Sequence, residues 1–294
     1  MPRGAWLGGA WLALLGALLA GCGPRGAAEP PGPDPHDPRR PFLWRVDGPG
    51  APSPSYLLGS FHIGVAPDEV LPPSVLAKVD VARTVVLEVD IAVPEALGIE
   101  RQPPGHSLKD DMSAEQWQKL VAVLKLDADG EAKLEQVKMW ALVTTMIQEL
   151  VPDTPTIDGV VQDRAVAANR TLVFLEDIDS QSKLLAKYMT ADMLLRLLDD
   201  KEGQRKHLAA EADAYRSGDE KRMWNQSMAP EVFASLEQRE EVVFARNRRW
   251  LPVIERAVRR GGAFVTVGCS HMIGDRGLVA LLRGRGYRVT RIRG

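Results

Sequence analysis

The clearest feature of the hydrophobic pattern is a set of short, β-branched runs separated by longer amphipathic stretches. Thr84-Val85-Val86-Leu87-Glu88-Val89 and Ala263-Phe264-Val265-Thr266-Val267 are almost continuously apolar and predict buried strands. Tyr56-Leu57-Leu58, Thr171–Leu175 and Tyr287-Arg288-Val289-Thr290 predict three more. Helical spacing appears from Pro72 to Arg83, with Val75, Leu76 and Val79 on one face. Ser113 opens another helix, with Gln116 placed as its capping-box partner. Glu131 to Leu150 reads as one helix and Asp158 to Asn169 as a second. A long helical stretch from Ser182 to Ala257 is broken near Gly203, Gly218 and Pro230, and Gly277 to Arg285 is the last helix. Strands at both ends with a helical middle predict an α/β fold: a central mixed β-sheet flanked by helices, carrying a large helical insertion.

The amino terminus follows a different pattern. Arg3 precedes an apolar run from Ala5 to Leu18, which ends in Leu19-Ala20-Gly21-Cys22. The run is too short to span a bilayer as a helix and has the anatomy of an export signal. Leu-Ala-Gly-Cys resembles the bacterial lipobox. The resemblance implies a lipoprotein signal peptide over 1–22, lipidation of Cys22, and attachment to a bacterial membrane. Gly23 after the cysteine leans towards the outer membrane, facing the periplasm. Residues 23–54, rich in proline and glycine, predict a semi-extended tether, leaving 55–294 as the folded domain.

Composition narrows the function classes. The chain has 294 residues, 45% of them hydrophobic and 26% charged, with a formal net charge of -2. This balance is unlike that of a dedicated nucleic-acid binder. With Cys22 in the leader, Cys269 is the one cysteine left in the domain, so no internal disulfide framework forms. It reads as a small buried residue.

Candidate chemistry rests on a motif that occurs twice. Gly59-Ser60-Phe61-His62 leaves the first of these strands, and Gly268-Cys269-Ser270-His271 leaves the penultimate one. A glycine lets the chain turn sharply at a strand end, and ligands gather at the carboxyl ends of strands in α/β sheets. Two imidazoles plus a carboxylate suit a divalent metal. Glu88 supplies the carboxylate, because a charge within an apolar strand needs a partner, and Glu176 is a second candidate. Of the five histidines, His106 and His207 read as surface residues and His36 falls in the tether. No nucleophile elbow, H-E-x-x-H or P-loop sequence is present.

At these residues the chain resembles the TraB/GumN family, related to the Tiki proteases and more remotely to erythromycin-esterase-like and ChaN-like proteins. The resemblance runs in order from Leu57-Leu58-Gly59-Ser60-Phe61-His62-Ile63-Gly64 through Val86-Leu87-Glu88-Val89-Asp90. It continues through Ile157-Asp158-Gly159, Leu175-Glu176 with Gln181, and Arg246-Asn247 with Trp250. The last block spans Val267-Gly268 to Gly286-Tyr287. Met139-Trp140 departs from the Pro-Trp of many relatives. The resemblance implies that His62, His271 and Glu88 hold a divalent metal, manganese or cobalt, with zinc also compatible. It places Arg246 and Asn247 near the site and makes Glu176 a partner of it or a general base. It also implies a metal-dependent hydrolase acting on a peptide or protein substrate. Two alternatives stay open. One is a non-catalytic lipoprotein that binds a metal, a peptide or haem. The other is a metal-independent, esterase-like hydrolase with His62 or His271 as general base.

Overall fold

The computed structural model describes residues 34, 36–92, 100–230 and 232–293. Cys22, the expected export signal and the first part of the expected tether lie outside the described residues.

Six strands form one sheet: β1 (Leu43–Asp47), β2 (Ser55–Ser60), β3 (Thr84–Leu87), β4 (Thr171–Phe174), β5 (Ala263–Gly268) and β6 (Arg288–Ile292). Their order is β4-β3-β5-β2-β1-β6. The first four are mutually parallel, and β1 runs antiparallel to both β2 and β6. The sheet is therefore mixed, as expected. β3 and β5 are interior strands, and every residue of β5 is buried, so both of its faces are covered. Strands covered on both sides read as unbroken apolar runs. Each enclosed valine, leucine or phenylalanine there stabilises the fold by roughly 1.5–3 kcal/mol.

β1 corrects the expected domain boundary. Residues 43–47 fall within the expected tether, yet Leu43, Trp44 and Val46 are buried and the strand pairs on both edges. The proline-rich tract stops in time, because Pro41 stands just ahead of the strand. There its carbonyl oxygen accepts from the Arg291 guanidinium of β6.

The insertion has its own core, built from Leu108, Trp117, Leu120, Leu142, Val143, Leu194 and their neighbours. Ser113 and Gln116 form the expected reciprocal cap on the helix Ala114–Leu124. The single helix expected over 131–150 is instead two, Ala128–Leu134 and Met139–Gln148. The break is tertiary: Lys138 donates its backbone N–H to Glu100, and Arg101 bridges to Val137. The long stretch beyond is also more divided than expected. It breaks at Thr190 as well as at Asp200, close to the expected Gly203, and both residues cap the following helix. Gly218 does end its helix, in the left-handed conformation that suits glycine.

Candidate functional site

Register brings the two glycine–histidine motifs together. Gly59 pairs with Val267 and Ser60 with Gly268 on the adjacent parallel strands β2 and β5, so His62 and His271 leave the sheet at the same edge. Leu87 lies level with Thr266 and Phe174, which sets Glu88 and Glu176 at that edge as well. All four residues thus sit at strand carboxyl ends. Above them a cleft of about 570 Å³ is walled by the insertion on one side, through Thr144, Ile147, Leu185 and Met189.

Arg246 organises the buried wall. It enters from the helix Ala245–Arg260, which follows a π-helical turn over Glu240–Phe244. Such a turn adds a residue to the helical repeat and shifts which side chains face inward. Arg246 and Asn247 are 5% and 0% exposed. Arg246 Nη2 donates to Glu88 Oε2 at 2.8 Å, and Nε donates to Glu176 Oε2 at 3.0 Å. Nη1 donates to His271 Nε2 at 3.2 Å and to the Val242 carbonyl at 3.3 Å. Trp250 backs the group: its ring lies 4.4 Å from the guanidinium carbon and 4.5 Å from the His271 ring, and its Nε1 donates to Glu176. Arg249 reaches the same carboxylate from the surface. Glu176 therefore acts here as a partner of Arg246.

The hydrogen-bond network sets the state of His271. An N–H of Arg246 needs the Nε2 lone pair, so the ring proton sits on Nδ1 and is donated to Asn247 Oδ1 at 2.7 Å. Asn247 Nδ2 in turn donates to the carbonyls of His271 and Arg276. Burial, with Arg246 and His62 alongside, outweighs the pull of Glu88 and depresses the His271 pKa to about 3. The ring is neutral at ordinary pH. Burial works against the Glu88 carboxylate, but His271, Arg246, His62 and the Gly268 N–H outweigh it and hold its pKa at about 2. With His271 neutral, that compensation falls near pH 7 to Arg246, His62 and the N–H, which donates to Glu88 Oε1 at 2.7 Å.

His62 stands apart, at the cleft floor. Its Nδ1 lies 2.9 Å from Asp158 Oδ2, while Ser60 Oγ donates to Asp158 Oδ1 at 2.8 Å. Asp158 occupies the first turn of the helix Ile157–Ala167, whose N-cap is Thr156. Tyr215 anchors the loop by donating its hydroxyl to the Gly59 carbonyl at 2.7 Å and stacking on Phe61. Confinement in the cleft lowers the His62 pKa, yet Asp158 and then Glu88 overcome this and hold it at about 9. The ring is nonetheless open to water, with 58% of the side chain exposed. A histidine whose pKa is raised on folding stabilises the fold below its unfolded value of 6.5, and that stabilisation is lost as pH rises through 9. We expect the melting temperature to fall between those two pH values, and to stay flat across them in His62→Gln. A flat profile in the parent would contradict the pairing.

The residues expected to hold a metal do not, as arranged, present three donors to one point. His271 Nε2 faces the Arg246 guanidinium, and both Glu88 oxygens are taken by N–H donors. Among the described residues no group of three His, Cys, Asp or Glu side chains is placed to hold a metal. A smaller cradle does exist. A Cβ on Gly268 would lie 2.9 Å from His62 Nε2 and 3.4 Å from Glu88 Oε1, so the missing side chain leaves a gap between those two donors.

Other expectations divide. Cys269 is buried beside the site, and Gln181 lines the cleft. His106 is a surface residue paired with Asp110 and Asp111. His207 is not: it is half-buried, and its Nε2 is enclosed without a hydrogen-bond partner among the described residues. Ser60 and Glu211 were not anticipated as members of the site. No helix among the described residues is long and apolar enough to cross a membrane. No curated protein and no solved structure matches the chain. The profile of the TraB/PrgY/gumN family matches residues 42–291, and the chain belongs to that family.

Proposed function

We propose that this chain is a hydrolase, and more narrowly a peptidase, whose chemistry runs at His62 Nε2. The observation that carries the reading is the Asp158–His62 pair: a carboxylate fixes Nδ1 and turns Nε2 into an open cleft. An aspartate used this way sets the tautomer and steadies the imidazolium. Near pH 7 His62 is protonated, so it enters as an acid, able to protonate the amine expelled from a cleaved peptide bond. The cleft suits a peptide. Phe61, Ile63, Met189 and Phe233 offer apolar contact, and Gln148 and Gln181 offer amide groups to an extended backbone. Arg246, with its N–H donors spent on the protein, contributes positive charge behind the reacting carbonyl rather than a hydrogen bond to it.

The gap opposite Gly268 favours one rival, a divalent ion held by His62 and Glu88. Bound manganese, cobalt or zinc would polarise a carbonyl and acidify water. His271 joins such a set only if Arg246 withdraws from it.

The lipobox supports action at a bacterial membrane surface, through acylated Cys22. One experiment addresses activity, metal and anchor together: hydrolysis of a peptide library by membranes carrying the full chain or Cys22→Ser, before and after exhaustive chelation. We expect turnover that survives chelation and moves to the soluble fraction in Cys22→Ser. Turnover that disappears and returns with manganese would favour the metal reading. Membrane-bound turnover in Cys22→Ser would remove the lipid anchor, and no turnover at all would leave a binding protein.

A further inference from the structure

The end of the sheet opposite the cleft carries a charge that the chemistry above does not use. Residues 245–294 hold twelve arginines against Glu255 and Asp275, in a chain whose formal net charge is -2. Register shows where several basic groups gather. Thr84, Thr171 and Ala263 stand level at the starts of β3, β4 and β5, so Arg83, Arg170 and Arg260 come to one end of the sheet. β6 starts there as well, because Arg288 pairs with Asp47, one step beyond the level where Val46 meets Ser55 of β2. Arg285 precedes Arg288 by three residues. The pieces are contiguous: Arg83 donates its backbone N–H to the Gly262 carbonyl, and Pro52 and Ser53 of the β1–β2 connection pack on Gly261.

Three acids at this end are spent. Asp47 pairs with Arg45 and Arg288, Asp80 with Arg164, and Glu255 with Arg259. Asp163, a turn back along Ile157–Ala167, is exposed and makes no ion pair among the described residues. Arg83, Arg260 and Arg285 are exposed and likewise unpaired among the described residues. Exposed apolar side chains stand among them. Val81, 42% exposed, ends the helix Pro73–Val81 two residues before Arg83. Val166, 57% exposed, lies in the last turn of Ile157–Ala167, four residues before Arg170. The Arg164–Asp80 ion pair joins these two helices.

Unpaired guanidinium groups beside exposed valines suit one kind of occupant. Anionic lipid headgroups attract the charge, and the interface takes up the apolar groups. A soluble polyanion would engage the arginines and leave the valines in water. We propose that this end of the domain rests on an anionic phospholipid surface, which turns the cleft away from the bilayer. The cleft lies at the far end of β5, six residues or roughly 20 Å along the strand. Substrate then reaches it from the aqueous side. The chain ahead of the domain permits this orientation. β1 begins at the cleft end, where Leu43 pairs with Leu58. The twenty residues from Cys22 to Pro41 reach at most about 65 Å, enough to pass alongside the sheet. The proposal depends neither on hydrolysis nor on acylation.

The test is co-sedimentation of the full chain carrying Cys22→Ser with vesicles of phosphatidylcholine, alone or mixed with phosphatidylglycerol. Comparing the two vesicles cancels any pull of the apolar run ahead of Cys22. An arginine held at an anionic surface strengthens binding roughly five-fold, so Arg83→Gln, Arg260→Gln and Arg285→Gln together should weaken binding to the anionic vesicles on the order of 100-fold. Binding to phosphatidylcholine alone should not change. The same loss of charge at Lys201, Arg205 and Lys206, exposed on the helix Lys201–Ser217, should leave both within a few-fold. Val81→Ser with Val166→Ser should weaken vesicle binding and leave binding to a DNA duplex as it was. Melting temperature reports whether each variant folds. Parent binding indifferent to phosphatidylglycerol, or unmoved by the three arginine substitutions, overturns the proposal. An equal loss from the Lys201, Arg205 and Lys206 variant reduces the effect to net charge and also overturns it. DNA bound as tightly as vesicles, with the valine substitutions silent, makes the face a polyanion site and overturns it too.

Discussion

Arg246→Ala should lower the melting temperature by ~10 °C. The reasoning is electrostatic. Arg246 is 5% exposed and neutralises two carboxylates, Glu88 and Glu176, that are themselves nearly enclosed. Removing one partner of a buried ion pair costs about 3–5 kcal/mol, because the uncompensated charge remains out of water. In a domain of this size each kcal/mol shifts the midpoint by about 2–4 °C. Lysine should not substitute, since an ammonium cannot span Glu88, Glu176, His271 and the Val242 carbonyl as the guanidinium fork does. Adding Glu88→Gln to Arg246→Ala should recover part of the loss, because one orphaned charge is then gone. Thermal melting of the three variants checks this. A shift below about 2 °C for Arg246→Ala would mean that the charges are relieved some other way.

The second large effect is catalytic. His62→Ala should reduce kcat by about 10³-fold, within the range by which a positioned acid or base accelerates a reaction. Stability near pH 7 should change far less than in Arg246→Ala, because the imidazole is largely open to water and its interactions are screened. Asp158→Asn separates orientation from chemistry. The amide can still meet Nδ1 but supplies no charge, so the His62 pKa should drop and kcat should fall by an intermediate amount. Steady-state kinetics on one cleaved peptide distinguish these outcomes. Equal kcat in His62→Ala and the parent would remove His62 from the chemistry.

Much of this arrangement was legible in the chain, and the unread parts share a cause. The β3 and β5 runs were visible because strands covered on both faces carry an unbroken apolar pattern that needs no outside information. The paired glycine–histidine motifs placed His62 and His271 at one edge by symmetry of sequence alone, and parallel pairing in matching register puts them there. β1 is not legible in the sequence because prolines stand on both sides of it. Its apolar run Phe42-Leu43-Trp44 is too short to outweigh that context without β2 and β6 alongside. The break between Leu134 and Met139 has no glycine or proline to announce it, since contacts with Glu100 and Arg101 make it. The resemblance marks Asp158 as part of a shared block, but neither it nor the spacing pairs Asp158 with His62, and His207 reads as a surface residue although it is half-buried. Ser60 and His62 lie 98 and 96 residues from Asp158 in the chain, and no local spacing encodes such contacts. The same holds for Arg246. Its place among the glutamates and His271 decides what the site can hold, and it depends on four strand ends meeting one helix.

Hydrolysis centred on His62 is tested most directly by incubating the full chain with a peptide library in ¹⁸O-water and reading the new carboxyl termini by mass spectrometry. We expect the parent to release fragments with ¹⁸O in the new carboxylate, and His62→Ala to leave the library intact. An uncut library in both, or equal labelled cleavage in both, would contradict a reaction run from this histidine.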